Sequence, residues 1–216
     1  MDQTDTILAS AYPSVYRIAA GLSGRKDVAE GIVGFVFRAA VRETAGWQRL
    51  EEPIKWFWHY TVLTSRRVKK KYVAGRGDLL IPAESAGDRV YVVFVATLRA
   101  LHQQQAEAFI LRFGENLDPR QLAVAMDCSV TAAANHLEAA VHALTAAVGP
   151  TAMTACTATL ARAYAGLTPP AELHLRSMKK MLRKQGWSRV MRTAGAVLAA
   201  AALAAACLWG VYLLSK

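Results

Sequence analysis

Apolar residues return at three- and four-residue intervals along most of this chain and alternating runs are scarce, so the pattern predicts helices throughout. In TILASAYPSVYRIAAGL, residues 6–22, the side chains of Ile7, Tyr12, Val15, Tyr16, Ile18 and Leu22 share one buriable stripe, with Pro13 as a helix start or kink. SGRKD then turns the chain, and Asp27 is placed to cap a helix reaching Val41. That helix carries Ile32, Val33, Phe35, Val36 and Phe37, too many apolar side chains for an exposed surface, so part of it must meet a partner. After Gly46 and Glu51-Glu52-Pro53, the run PIKWFWHYTVLTSRRVKKKY opens aromatic and closes with Arg66, Arg67, Lys69, Lys70 and Lys71. Residues 73–87, VAGRGDLLIPAESAG, have the glycines, Pro82 and weak period of a linker. A second helical module occupies residues 88–149.

Within that module, Gln121–Leu144 reads as two helices joined by an Asp127-Cys128-Ser129 turn, a helix-turn-helix pattern. Asp118 caps the first helix with Pro119 at its first position, where a missing N–H costs nothing. Leu122 and Met126 share a face, and Ala123 is small enough for close helix approach. Ser129 caps the second helix, whose apolar residues are Val130, Leu137, Val141 and Leu144. Such a unit docks its second helix in the major groove of DNA. An alanine-rich hairpin also serves as a plain core element. The outward positions of the second helix hold Thr131, Ala132, Ala134, Asn135, Glu138 and His142, and no Lys or Arg occurs between Arg120 and Arg162. Phosphate affinity grows with the cations supplied, so this helix alone binds weakly, and Asn135 is its best base reader, suited to adenine.

Charge is concentrated at one end. The net charge is +10, but nine of the 26 basic residues follow residue 150, where Glu172 alone opposes them. The first 150 residues are nearly balanced. Ala194–Leu214 then carries no charge; as a helix it would reach about 30 Å, the thickness of a bilayer's hydrocarbon core. Trp209 and Tyr212 stand near its far end, and RSMKKMLRKQGWSRVMR with seven basic residues flanks its near end, which predicts a single-pass anchor with the N-terminus in the cytoplasm. The competing reading is a buried alanine-rich helix. MDQTDTILAS has no basic segment followed by an apolar run, so no secretory signal is expected.

Cys128, Cys156 and Cys207 are few, odd in number and far apart, with neither disulfide nor zinc spacing. The five histidines form no metal motif, and no phosphate loop or Ser/His/Asp signature is present, so no enzyme, metal or cofactor is expected. The stretch 53–72 has two readings. An aromatic stripe at helical spacing is commonly core, yet Trp56, Phe57, Trp58 and Tyr60 cannot all point inward from one helix. Exposed rings beside cations suit single-stranded nucleic acid, where rings stack on bases and cations follow phosphates.

The order of these parts resembles an extracytoplasmic-function (ECF) type RNA polymerase sigma factor. YPSVYRIAAGLSGRKDVAEGIVGFVFRAAV is similar to that family's polymerase-binding segment, PIKWFWHYTVLTSRRVKKK to its promoter-melting segment, and residues 98–144 to its upstream-promoter module. The resemblance covers about residues 7–148 and rests on order and apolar pattern. Gly34 and Phe35 stand where the family carries a polar-acidic pair. It implies an all-α fold with a polymerase-binding and melting module at 1–72, a linker at 73–87 and a helix-turn-helix module at 88–149. A helical, basic juxtamembrane segment at 150–192 and a transmembrane helix at 193–215 complete the expected organisation, with residues 151–185 able to fold against either module. The implied polymerase contacts are Ile32, Val33, Phe35 and Val36; the implied DNA contacts are Trp56, Trp58, His59, Arg66 and Arg67, then Ser129, Thr131, Asn135 and His136. Implied partners are core RNA polymerase, promoter DNA and a regulatory anti-sigma-like protein, with membrane lipid added by the tail. The alternative is a membrane-anchored helical scaffold or regulator that kept the architecture and lost promoter recognition.

Overall fold

Helices form where apolar spacing and capping agree. The computed structural model describes residues 3–69 and 77–170, and among the described residues it is entirely helical, with nine α-helices and one short 3₁₀ turn, Ala83–Ser85. Helix α1 (Gln3–Ser23) runs through Pro13, which lies inside it and is not its start. The ring removes one ladder hydrogen bond, and the helix continues because Leu8, Ala11, Val15, Ile18, Ala19 and Leu22 are all buried along one face. Helix α2 (Lys26–Arg42) begins one residue before the expected cap. Asp27 instead sits in its first turn and accepts from Arg25 Nε and Nη2 at 3.1 and 2.8 Å, and that contact holds its carboxyl below the ordinary range.

The short helix α3 (Thr44–Trp47) places Trp47 under the first three-helix group, where its Nε1 donates to the Ala40 carbonyl at 2.8 Å. Helix α4 (Pro53–Lys69) packs on α1 and α2. Tyr12, Phe37, Phe57 and Trp47 make a continuous ring cluster with centroid separations of 5.4–5.8 Å.

The second group comprises α5 (Arg89–Ala100), α6 (Gln103–Phe113), α7 (Pro119–Met126), α8 (Val130–Val148) and α9 (Pro150–Ala165). Phe94 and Phe109 meet edge to face at 5.8 Å in its core, with Leu98, Leu122, Met126 and Leu144 buried around them. Helix α9 turns back from α8 by 114° and buries Cys156, Leu160 and Tyr164, four residues apart on one face. Residues 150–165, read from sequence as the start of a juxtamembrane segment, therefore belong to this core. The described end of the 73–87 connection is tied down as well: Leu80 is fully buried and Tyr91 Oη donates to its carbonyl at 2.7 Å.

The two groups pack into one compact unit, Met1–Pro170. Three arginine–carboxylate contacts stitch it. Arg17 on α1 donates twice to Glu115, Arg66 on α4 donates to Glu107 on α6, and Arg99 on α5 binds Asp78 while its Nη1 reaches the Gly21 carbonyl at 2.6 Å. Tyr164 of α9 completes the seam. A Cβ on Gly21 or on Gly114 would stand 2.6 Å from the Tyr164 ring, so only glycine on α1 and at the end of α6 lets that ring lie between the groups. Among the described residues no single helix is long and apolar enough to cross a membrane, and Ala194–Leu214 lies outside the described residues.

Candidate nucleic-acid interface

The helix-turn-helix is built by local chemistry. Asp118 Oδ1 accepts from the Arg120 and Gln121 amides at 2.8 and 2.9 Å, while Gln121 Oε1 accepts from the Asp118 amide at 3.0 Å. This reciprocal box satisfies donors that the first turn of α7 would otherwise leave open. Asp127 ends α7 in the left-handed region (φ 57°, ψ 52°), a conformation that Asp tolerates better than most residues. Ser129 then caps α8 by accepting from the Ala132 amide at 3.1 Å. Leu122, Ala123, Ala125 and Met126 of α7 and Ala133, Ala140 and Leu144 of α8 are buried, and the two helices pack on each other. Thr131, Ala134, Asn135, Glu138 and His142 lie exposed on α8, and His136 is half-buried. Val130, expected on the buried stripe, is exposed.

Helix α4 divides its residues differently from expectation. Trp58 is only 8% exposed and its Nε1 donates to Ser14 Oγ at 2.9 Å; in this packing it is a core ring and offers no face to a base. Arg66 is turned inward, with Nε and Nη2 on the Glu107 carboxylate at 2.7–3.1 Å and Nη2 also on the Met126 carbonyl at 2.9 Å. Phe57 is buried too, which leaves Trp56 and Tyr60 stacked on each other at 4.8 Å and half-exposed. His59 is half-buried and Arg67 exposed.

A groove of about 770 Å³ opens between the start of α4 and the helix-turn-helix. Trp56 and His59 form one side, and Val124, Cys128, Ser129 and Val130 the other. It brings together Trp56, His59 and Ser129 from the expected DNA contacts, while Thr131, Asn135 and His136 lie further along α8 outside its lining. Val124 was not singled out from sequence, and Val130 was read as part of the apolar stripe of α8; both are exposed apolar side chains. Burial pushes the Cys128 thiol beside them up, against a smaller opposite pull from Arg66.

The expected polymerase contacts separate as well. Ile32, Val33 and Val36 are in the core between α2 and its neighbours, and Phe35 alone of the four is at the surface, 55% exposed under the Arg38 guanidinium at 4.6 Å. Positions 32, 33 and 36 span one arc of the helix and 35 falls just past its edge, next to 32. Among the described residues no group of His, Cys, Asp or Glu is arranged to hold a metal.

The capped turn, the two-helix seam and the exposed outer face of α8 lie in one segment with a family assignment. Residues 92–144 match the Sigma-70, region 4 family. The match runs from within α5 to within α8, and the family is a non-enzymatic DNA-binding helix-turn-helix domain of sigma factors. It supports a sigma-like role in transcription. No curated protein and no solved structure matches the chain.

Proposed function

We propose that the chain is a sigma-factor-like transcription initiation protein that binds core RNA polymerase and promoter DNA while tethered to the cytoplasmic face of the plasma membrane. The observation that carries this reading is the coincidence of the doubly capped helix-turn-helix with the region 4 match over residues 92–144. In this reading α8 enters the major groove and Asn135 reads a base edge. Trp56, His59 and Arg67 on α4 face the unpaired strand, and Phe35 on α2 is the surface contact for polymerase. The uncharged Ala194–Leu214 run and its basic flank support the tether, with lipid as its partner. An anti-sigma-like protein is a natural further partner for such a factor.

One observation favours a second reading. The outward face of α8 holds Glu138 and no cation, which suits a tethered scaffold that keeps the architecture for protein contacts. Run-off transcription separates the two. The full chain in mild detergent, added to core polymerase on a promoter library, is expected to yield specific start sites. Stable polymerase association without any start site would support the scaffold, and neither association nor DNA binding would remove both.

A further inference from the structure

Arg66 lies in the most cationic stretch of the described chain near the groove, yet its charge is spent internally. Its side chain is 24% exposed and that of Glu107 only 4%. The guanidinium makes the fork contact that it would make on a phosphate, with the Glu107 carboxylate accepting from Nε and Nη2, and the Met126 carbonyl at the end of α7 accepting another bond from Nη2. Gln103 Nε2 donates to the same carboxylate at 2.9 Å and aims it at α4.

Stability does not explain such a contact. A buried ion pair forfeits hydration that two apolar side chains would not, and it contributes little net stability for that reason. The pair is also one of two ion pairs that join the first helical group to the second, beside Arg17 with Glu115, while Arg99 reaches across through the Gly21 and Leu22 carbonyls. Inside each group the packing is largely apolar. The buried ion pairs thus lie at the contact between the two groups.

We infer that Glu107 is an internal stand-in for nucleic-acid phosphate: it holds Arg66 against α6 and α7, keeps α4 closed on the helix-turn-helix module, and releases the cation when the two groups separate. This rests on the reading of α4 as a nucleic-acid surface. Closure and binding then compete for one guanidinium. The apparent affinity of the closed chain is lowered by the fraction that is open, and anything that disfavours closure raises it.

Glu107→Gln in the full chain tests the competition, with hydrogen exchange as one readout and binding of a fluorescein-labelled single-stranded oligonucleotide of mixed sequence as the other. The expected result is faster exchange confined to α4, α6 and α7, with roughly tenfold tighter oligonucleotide binding if the open fraction rises by that factor. One further phosphate contact should also steepen the salt dependence by about 0.7. The double variant Arg66→Met with Glu107→Met keeps the packing without the charges and is expected to stay closed with no gain. Faster exchange with unchanged binding would show that α4 is not a nucleic-acid surface, and the inference falls with that reading. Unchanged exchange and unchanged binding, in a chain whose binding is weakened by Trp56→Ala, would overturn the switch and leave the nucleic-acid reading standing. Faster exchange spread through α1 and α2 as well would make the pair a plain stability element and overturn the inference.

Discussion

Trp56 and Trp58 are two residues apart on α4, and the structure assigns them opposite roles. Trp58 is buried, with its indole N–H on Ser14, whose hydroxyl donates in turn to Glu115 at 2.6 Å. Trp58→Ala removes a large core ring and should cost about 3–5 kcal/mol of stability. Trp58→Phe keeps most of the ring, loses the hydrogen bond and leaves a small void. About 0.5–1.5 kcal/mol goes with the bond, and the void adds to it. Trp56 is half-exposed and stacks on Tyr60, a pairing worth about 0.5–1.5 kcal/mol beyond area. Trp56→Ala should therefore leave a well-folded chain, but it removes a ring able to stack on a base, worth about 1–3 kcal/mol, or roughly five- to hundredfold in affinity. Urea unfolding and single-strand binding by fluorescence anisotropy, run on all three variants, separate stability from affinity. The reasoning fails if Trp58→Phe weakens DNA binding at unchanged stability, because that ring would then reach the strand. It fails equally if Trp56→Ala lowers stability as much as Trp58→Ala does.

Four other outcomes are expected. Asp118→Ala removes the acceptor for two amides of α7 and should cost about 1 kcal/mol, with hydrogen exchange accelerating first at Arg120 and Gln121; protection unchanged at those amides would mean that water replaces the cap. The Tyr12 hydroxyl is pushed up to about 12 by burial and, secondarily, by Tyr16 and Glu30. The unfolded chain therefore loses its tyrosine protons first, and stability should decline as pH rises above the ordinary value of 10.0 and toward 12, with a late-titrating tyrosinate band in ultraviolet titration as the check. Asn135→Ala should relax base preference at one position by about 1–3 kcal/mol, whereas Glu138→Lys should tighten binding to every duplex and steepen its salt dependence, two patterns that single-base variants and a salt series tell apart. Deleting residues 187–216 should move the protein from membrane to soluble fraction, and full-length chain already soluble at high salt and alkaline pH would refute the anchor.

Local chemistry was the most legible part of the sequence. Asp118 with Pro119, and Ser129 before its helix, are caps whose partners lie two or three residues away, so no tertiary knowledge is needed to place them. The stripe of α1 was readable for the same reason, since a helical period determines which side chains share a face. Helix α4 was not readable in that way. It is apolar on more than one side at its start, and only the positions of α1, α2 and α7 decide that Phe57 and Trp58 go inward while Trp56 and Tyr60 remain at the edge. The Arg66–Glu107 contact joins residues 41 apart, beyond any local pattern. Helix α9 was legible only as part of a helical segment able to fold against either module, because alanine-rich sequence carries a weak apolar signal; three larger side chains at four-residue spacing supply its burial.

The cations then explain how the parts bear on one another. Non-specific affinity for DNA follows the number of phosphates that Lys and Arg neutralise. The recognition helix supplies none, Lys55 at the groove is paired with Glu52 at 2.7 Å, and Arg66 is held by Glu107. Among the described residues, Arg120 lines the groove and Arg67 on α4 is exposed. A duplex seated on α8 would thus be positioned mainly by shape and by Asn135, with little electrostatic hold to keep it there. Two sources of additional charge follow from the chain itself. One is Arg66, internal to the folded unit and obtainable only by parting α4 from α6 and α7. The other is the basic sequence before Ala194, which a membrane surface would occupy. On the proposed reading, a chain arranged in this way would bind DNA weakly until one of those cations is released.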